Sequence, residues 1–177
     1  MILFLAGASH TGKTLLAQRL LERYHFPYLS IDHLKMGLIR SGQTQLTPMD
    51  DDALTSYLWP IVREMAKTAI ENSQNLIIEG CYIPFDWAKD FPADYLRHIR
   101  YRCLILSRGY IEQHFDRIRS HACAIEQRLD DNGLDRAVLI RDNEENLRQC
   151  RAHGCSYILI ENDYRIDPEA LLGESTP

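Results

Sequence analysis

Apolar and polar positions follow two rhythms along this chain, and the rhythms take turns. Ile2 to Ala6 form a short apolar run that stops at Gly7, and after a glycine-containing loop Leu16, Leu20 and Tyr24 recur at helical spacing from Lys13 onward. A strand, a loop and a helix are predicted. Pro27 to Ile31 predicts a second strand stopping at Asp32, and His33 to Arg40 a short helix before the turn at Ser41-Gly42. Thr47 as N-cap and Pro48 at the first helical position predict the start of a long helix, with Asp50 to Asp52 near the positive end of its dipole. Leu54, Leu58, Ile61, Met65 and Ala69 keep the helical period to about Glu71, and Pro60 is expected to kink or split the helix.

Asn75 to Ile78 predicts a third strand ending at Glu79-Gly80, and Tyr101 to Leu106 a fourth. Between them lies an irregular aromatic stretch with Pro84, Trp87 and Pro92. Helices follow over Ile111 to Arg128 and Asp142 to Ala152, separated by a turn at Asp130 to Gly133, and the second stops near Gly154. Ser156 to Ile160 is a fifth apolar run. Strands alternating with helices imply right-handed crossovers and a parallel sheet covered on both faces, an α/β fold in a three-layer α/β/α sandwich.

Composition narrows the class without changing the picture. The 177 residues are 45% hydrophobic and 25% charged, with only 9 Gly and 7 Pro, as in an ordinary globular chain of one domain spanning residues 1–177. The longest apolar stretch, MILFLAGA, is far short of the ~20 residues of a membrane span, and the start lacks the features of a secretory signal. No membrane association is expected, and the cytoplasm is the expected location. The five Cys contain no C-x-x-C pair, so a disulfide framework is not expected. A net charge of −5 argues against a nucleic-acid partner. Between Arg97 and Arg128, however, seven Arg face three acids, which leaves the remainder of the chain at −9. Such a segment suits a small anionic ligand such as a polyphosphate, and equally a pair of solvated helix faces.

Gly7-Ala8-Ser9-His10-Thr11-Gly12-Lys13-Thr14 matches G-x-x-x-x-G-K-[ST] at every fixed position, after a predicted strand and opening a predicted helix. Chance would give such a match in about one chain in a hundred of this length. The glycines let the backbone wrap closely around phosphate, with successive N–H groups forming an anion nest at a helix N-terminus. Lys13 is then the bridge to the β- and γ-phosphates and Thr14 the hydroxyl ligand of Mg²⁺. His10 is a variable position within the cradle. Because ligands of parallel α/β sheets lie beyond the carboxyl ends of the strands, the polar residues after each strand are the next candidates. Asp32 can accept the proton of an attacking hydroxyl or bind Mg²⁺ through water, and competes with an N-cap role. Glu79 stands where a second acid often supports the metal, and a structural hydrogen bond is the alternative. Asn162, Asp163 and Tyr164 follow the fifth strand.

With GASHTGKT, the acid in YLSIDHLKMGLIR, the acid in LIIEG and the Arg-bearing RGYIEQHFDRIRSHACAIEQR, nearly the whole chain resembles one group of proteins. These are the small P-loop kinases of the adenylate-kinase-like group, which includes shikimate, gluconate and adenylylsulfate kinases, chloramphenicol phosphotransferase and zeta toxins. SIDHLKMGLIR together with LIIEGCYIP also resembles proteins described as 2-phosphoglycerate kinase-like. The resemblance implies sheet order 2-3-1-4-5, an acceptor-binding region at about residues 33–72 and a helical lid at about 117–135. It makes Arg40 a contact for an anionic acceptor, with Asp32 and Glu79 beside the same substrate. Arg117, Arg119 and Arg128 become lid arginines over the nucleotide phosphates, and residues 162–164 the place of an adenine loop. The conventional Walker B Asp is absent, leaving Glu79.

The expected activity is transfer of the γ-phosphoryl group of ATP, with Mg²⁺, to a hydroxyl of a small polar or anionic metabolite. A nucleoside monophosphate kinase and a nucleotide-binding sensor without turnover are the alternatives; the acceptor, ATP against GTP and the oligomeric state stay open. Cys150-x-x-His153-x-Cys155 offers no fourth metal ligand, and the D-x-x-G at Asp130 to Gly133 has no accompanying N-K-x-D. Trp59 and Trp87 are expected in the core or in the walls of an acceptor pocket.

Overall fold

The computed structural model describes residues 1–120 and 134–172. Its centre is β1 (Ile2–Gly7), buried along its length. Alternate residues of β1 serve opposite faces. Ile2, Phe4 and Ala6 pack against Ile31, Leu54, Leu58 and Val62, whereas Leu3 and Leu5 pack against Leu16, Ala17 and Leu20. An apolar residue at both parities of a strand calls for cover on both sides, and helices supply it. The sheet is parallel throughout, in the order β2-β3-β1-β4-β5, with β2 (Tyr28–Ser30), β3 (Leu76–Gly80), β4 (Ile99–Leu106) and β5 (Tyr157–Ile160). One face carries α1 (Lys13–Tyr24) and α7 (Pro168–Leu172), and the other α2 (Ile31–Arg40) and α3 (Asp51–Glu71). Between β3 and β4 come a 3₁₀ turn (Trp87–Asp90) and α4 (Ala93–Leu96); α5 (Arg108–Ser120) and α6 (Arg136–His153) pack together beside β4.

Several boundaries differ from those the sequence predicts. Helix α2 follows β2 without a loop, so Asp32 is its second residue and Ser30, not Asp32, is the N-cap. Helix α3 begins at Asp51 rather than at Pro48, because residues 47–50 close a turn of their own. The Asp50 amide donates to the Thr47 carbonyl (3.1 Å), and the Asp50 carboxylate accepts from the Thr47 amide and hydroxyl at 2.7 Å each. Those bonds hold the Asp50 carboxyl below its ordinary range. Pro60 does not split α3. It removes one bond to the Ser56 carbonyl, while its neighbours Leu58, Trp59 and Val62, buried in the core, keep the helix in line.

Glu79 lies within β3 rather than beyond it. Helix α6 starts well before Asp142, capped by the Asp135 carboxylate on the amides of Ala137 and Val138 (2.6 and 3.4 Å), and stops at Gly154 in the left-handed region. The end of the helix predicted to reach Arg128 and the turn at 130–133 fall outside the described residues. Trp59 and Trp87 both set edges against Phe4, in the core (5.7 and 5.5 Å between ring centres). Among the described residues, no helix is long and apolar enough to cross a membrane.

Candidate active site

The phosphate-type loop leaves the central strand, and its shape follows from three constraints. Gly7 (φ 142°) has the Leu104 carbonyl where a Cβ would stand, 2.6 Å away, so β4 crowds the loop and only glycine fits. His10 takes the left-handed conformation at φ 63°, which a variable loop position does not by itself suggest. Gly12 (φ 84°) opens α1. Inside the loop, the fully buried Thr11 donates its hydroxyl to the Ala8 carbonyl (2.9 Å), and Lys13 donates to the same carbonyl at 2.8 Å. Lys13 is itself buried, so its charge is held over the loop rather than in bulk water.

A cleft of about 1290 Å³ opens from this loop. Gly7, Ala8 and Ser9 form one end of its lining; Asp32 and Arg40 of α2 lie on the same lining. Five segments meet there: the loop, α2, the start of α3, the residues after β3, and the α6 turn carrying Arg141 and Glu145. Arg40 is exposed and forms no ion pair among the described residues. In the sequence Arg141 and Glu145 look like ordinary charges on a solvated helix, and nothing local marks them as part of a site.

Asp32 is not alone. Lys35, one turn further along α2, contacts its Oδ1 at 2.6 Å and donates to the Tyr82 hydroxyl at 3.0 Å; Tyr82 in turn donates to Asp51 Oδ1 at 2.9 Å. This line of four groups ties α2, the segment after β3 and the first residue of α3 together. Burial works against the Lys35 charge, but the hydrogen bonds to Asp32 and Tyr82 and the Asp32 charge outweigh it and raise the ammonium above its ordinary value. Burial pushes the Tyr82 phenol up to about 12, against the pull of Lys35, so it stays a neutral donor. The i,i+3 spacing of Asp32 and Lys35 was available in the sequence, whereas Tyr82 and Asp51 lie far from both.

Glu79 stands apart from the cleft lining. Its buried carboxylate accepts the Thr14 hydroxyl through Oε1 at 3.2 Å. Beside it in register on β2, the Ser30 hydroxyl is buried without a hydrogen-bond partner. The donors here are oxygens: the Thr14 hydroxyl on the Glu79 carboxylate, with the unsatisfied Ser30 hydroxyl on the neighbouring strand in register with Glu79. That chemistry fits Mg²⁺, which takes one or two protein oxygens and fills its remaining positions with phosphate oxygens and water. Among the described residues, no group of three or more His, Cys, Asp or Glu side chains is arranged to hold a metal alone.

Cys81, the exposed residue after β3, brings its thiol to 3.7 Å from Lys13 Nζ and 3.9 Å from Ser9 Oγ. Arg117 and Arg119 lie on the exposed last turn of α5, where Arg119 pairs with Asp116 at 3.1 Å; neither lines the cleft. Arg128 lies outside the described residues. Behind the loop, Tyr164 donates its hydroxyl to the Thr11 carbonyl at 2.8 Å.

No family model matches the chain, and no curated protein does. Solved structures do match. Shikimate kinase from Bacteroides thetaiotaomicron is 15% identical with a TM-score of 0.56, the match covering 97% of this chain and 94% of that one. Shikimate kinase from Aquifex aeolicus is 12% identical with a TM-score of 0.51, covering 97% and 91%. A sugar kinase from Janibacter sp. is 16% identical with a TM-score of 0.50, covering 97% and 89%. At 12 to 16% identity the likeness is one of fold alone.

Proposed function

We propose that this chain is a P-loop kinase that moves the γ-phosphoryl group of ATP to a hydroxyl of a small polar or anionic acceptor. The observation that carries the reading is the shared cleft, with the phosphate-type loop at one end and the Asp32 carboxylate on the same lining. Phosphoryl transfer asks for little beyond positioning, charge neutralisation and an acceptor for the hydroxyl proton, and each has a named group here. The loop amides and Lys13 would hold the β- and γ-phosphates, with Lys13 leaving the Ala8 carbonyl to do so. Mg²⁺ would rest on the Thr14 hydroxyl, with Glu79 behind it, and would neutralise phosphate charge. Asp32 would orient the attacking hydroxyl and take its proton. Arg40 would meet an anionic group on the acceptor, and Arg117 or Arg119 would supply further positive charge from the end of α5.

Asp32 on the lining favours a hydroxylated acceptor over a nucleoside monophosphate, because an attacking hydroxyl needs a base and an attacking phosphate oxygen does not. The test is ADP release from ATP and Mg²⁺ against a panel of hydroxylated metabolites, sugar acids and nucleoside monophosphates, with Lys13→Ala as control. One stimulating hydroxyl compound, inactive with the variant, is the expected result. Stimulation by nucleoside monophosphates alone would replace the acceptor class. ATP binding without stimulation by any of them would favour a nucleotide-binding sensor.

A further inference from the structure

Tyr164, beyond β5, reaches back across the molecule to a residue at the other end of the chain. Its hydroxyl donates to the Thr11 carbonyl at 2.8 Å, and the same oxygen stands 2.3 Å from where a Cβ on Gly12 would lie. The ring is half-buried beside the cluster of Leu106, Tyr110 and Ile111. Two features of the loop are therefore fitted to this one side chain. A residue larger than glycine at position 12 would collide with the phenol, and the Thr11–Gly12 peptide has its orientation fixed from outside the loop. A trans peptide is planar, with its C=O and N–H pointing in opposite directions. Holding the Thr11 carbonyl toward Tyr164 turns the Gly12 N–H away from it, toward the opposite side of the loop.

We propose that Tyr164 is a positioning residue for phosphate binding, aiming the Gly12 amide into the anion cradle from behind. This rests on reading the loop as a phosphate cradle. Tyr164 touches no phosphate itself, and its influence passes through one peptide plane. Burial raises its phenol above the ordinary value, so the hydroxyl keeps its proton and remains a donor across the physiological range. Without the hydroxyl, the Thr11–Gly12 peptide loses its outside restraint, and part of the binding free energy goes into reorienting the amide.

The test uses Tyr164→Phe, which removes one oxygen and keeps the ring in its packing. Two probes are titrated by calorimetry, ADP with Mg²⁺ and inorganic tripolyphosphate with Mg²⁺, onto wild type and variant of matching circular dichroism. The expected result is an affinity loss of about five-fold, typical of one hydrogen bond, and of the same size for both probes. A loss confined to ADP would overturn the proposal and make Tyr164 a contact of the base. Equal affinities in the two proteins would also overturn it. Failure of the wild type to bind either probe would overturn the phosphate-cradle reading beneath it, which separates the two failures. A merely structural role would lower the melting temperature without a matched loss for both probes.

Discussion

The two ends of the cleft are built differently. On the proposed reading the phosphates are held by eight consecutive residues, Gly7 to Thr14, of which Gly7, Ala8 and Ser9 line the cleft, following a buried strand. The main contacts within this run are local, such as Thr11 and Lys13 on the Ala8 carbonyl. The acceptor end is assembled from α2, the segment after β3, the start of α3 and one turn of α6, and its central contacts join residues far apart, as Tyr82 joins Lys35 to Asp51. On the proposed reading, chemistry common to nucleotides is held by one short run of consecutive residues, steadied from outside by Tyr164 and Glu79. The part that would fit an acceptor hangs on tertiary contacts, such as those joining Lys35, Tyr82 and Asp51, which lie outside the loop.

The comparison breaks most sharply at Lys13. Lys13→Ala should lower acceptor-stimulated ADP release by about a thousand-fold, the upper range for losing a preorganised charge-stabilising donor, and should weaken ADP binding as well. Asp32→Asn should lower turnover by about a hundred-fold or more while leaving the affinity for ADP with Mg²⁺ unchanged in calorimetry. If Asp32→Asn retained full turnover, the acceptor end would hold no base, and a phosphate acceptor would become the better reading.

Asn143 tests how the α6 wall is held. The Ser107 amide donates toward β5, at Ile160, so the Leu106 amide before it faces the β1 side, where pairing has already ended at Gly7 and Leu104. The buried Asn143 side chain accepts that amide at 2.8 Å and donates to the Leu139 carbonyl at 2.8 Å, pinning α6 to the end of β4. Asn143→Ala should cost about 2 kcal/mol in urea unfolding, the penalty of one buried amide left unpaired. Its effect on turnover should exceed its effect on ADP affinity, because α6 lines the acceptor end.

The smallest effect is expected at Lys35. Lys35→Met should reduce turnover by about ten-fold through misplacement of Asp32 and leave ADP affinity alone. Its stability signature has a defined sign. The Lys35 ammonium is raised above its ordinary 10.5, so the stabilisation is complete below that pH and fades as pH rises beyond it. The urea midpoints of wild type and Lys35→Met should therefore differ by a constant amount from pH 7 to 10 and converge above. A difference that already shrinks between pH 7 and 9 would mean that another group carries the effect.

Sequence by itself determined the parallel sheet and its helices, because strand and helix periods are local and every β1 residue is apolar at both parities. It also marked the phosphate-type loop, whose glycines, lysine and threonine are recognisable by their spacing. Boundaries shifted where a side chain found a nearer partner than the helix, as Asp50 did in turning back onto Thr47. Only the tertiary structure placed Glu79 beneath Thr14, turned Asp32 into the end of a four-group line through Lys35 and Tyr82 to Asp51, and set Tyr164 behind Gly12. Apart from Asp32 with Lys35, these pairings join residues 31 to 153 positions apart, as Tyr82 to Asp51 and Tyr164 to Thr11 do. Nothing in the local pattern of a chain marks them, since a buried tyrosine hydroxyl acquires its partner only when the sheet brings the ends of its strands together.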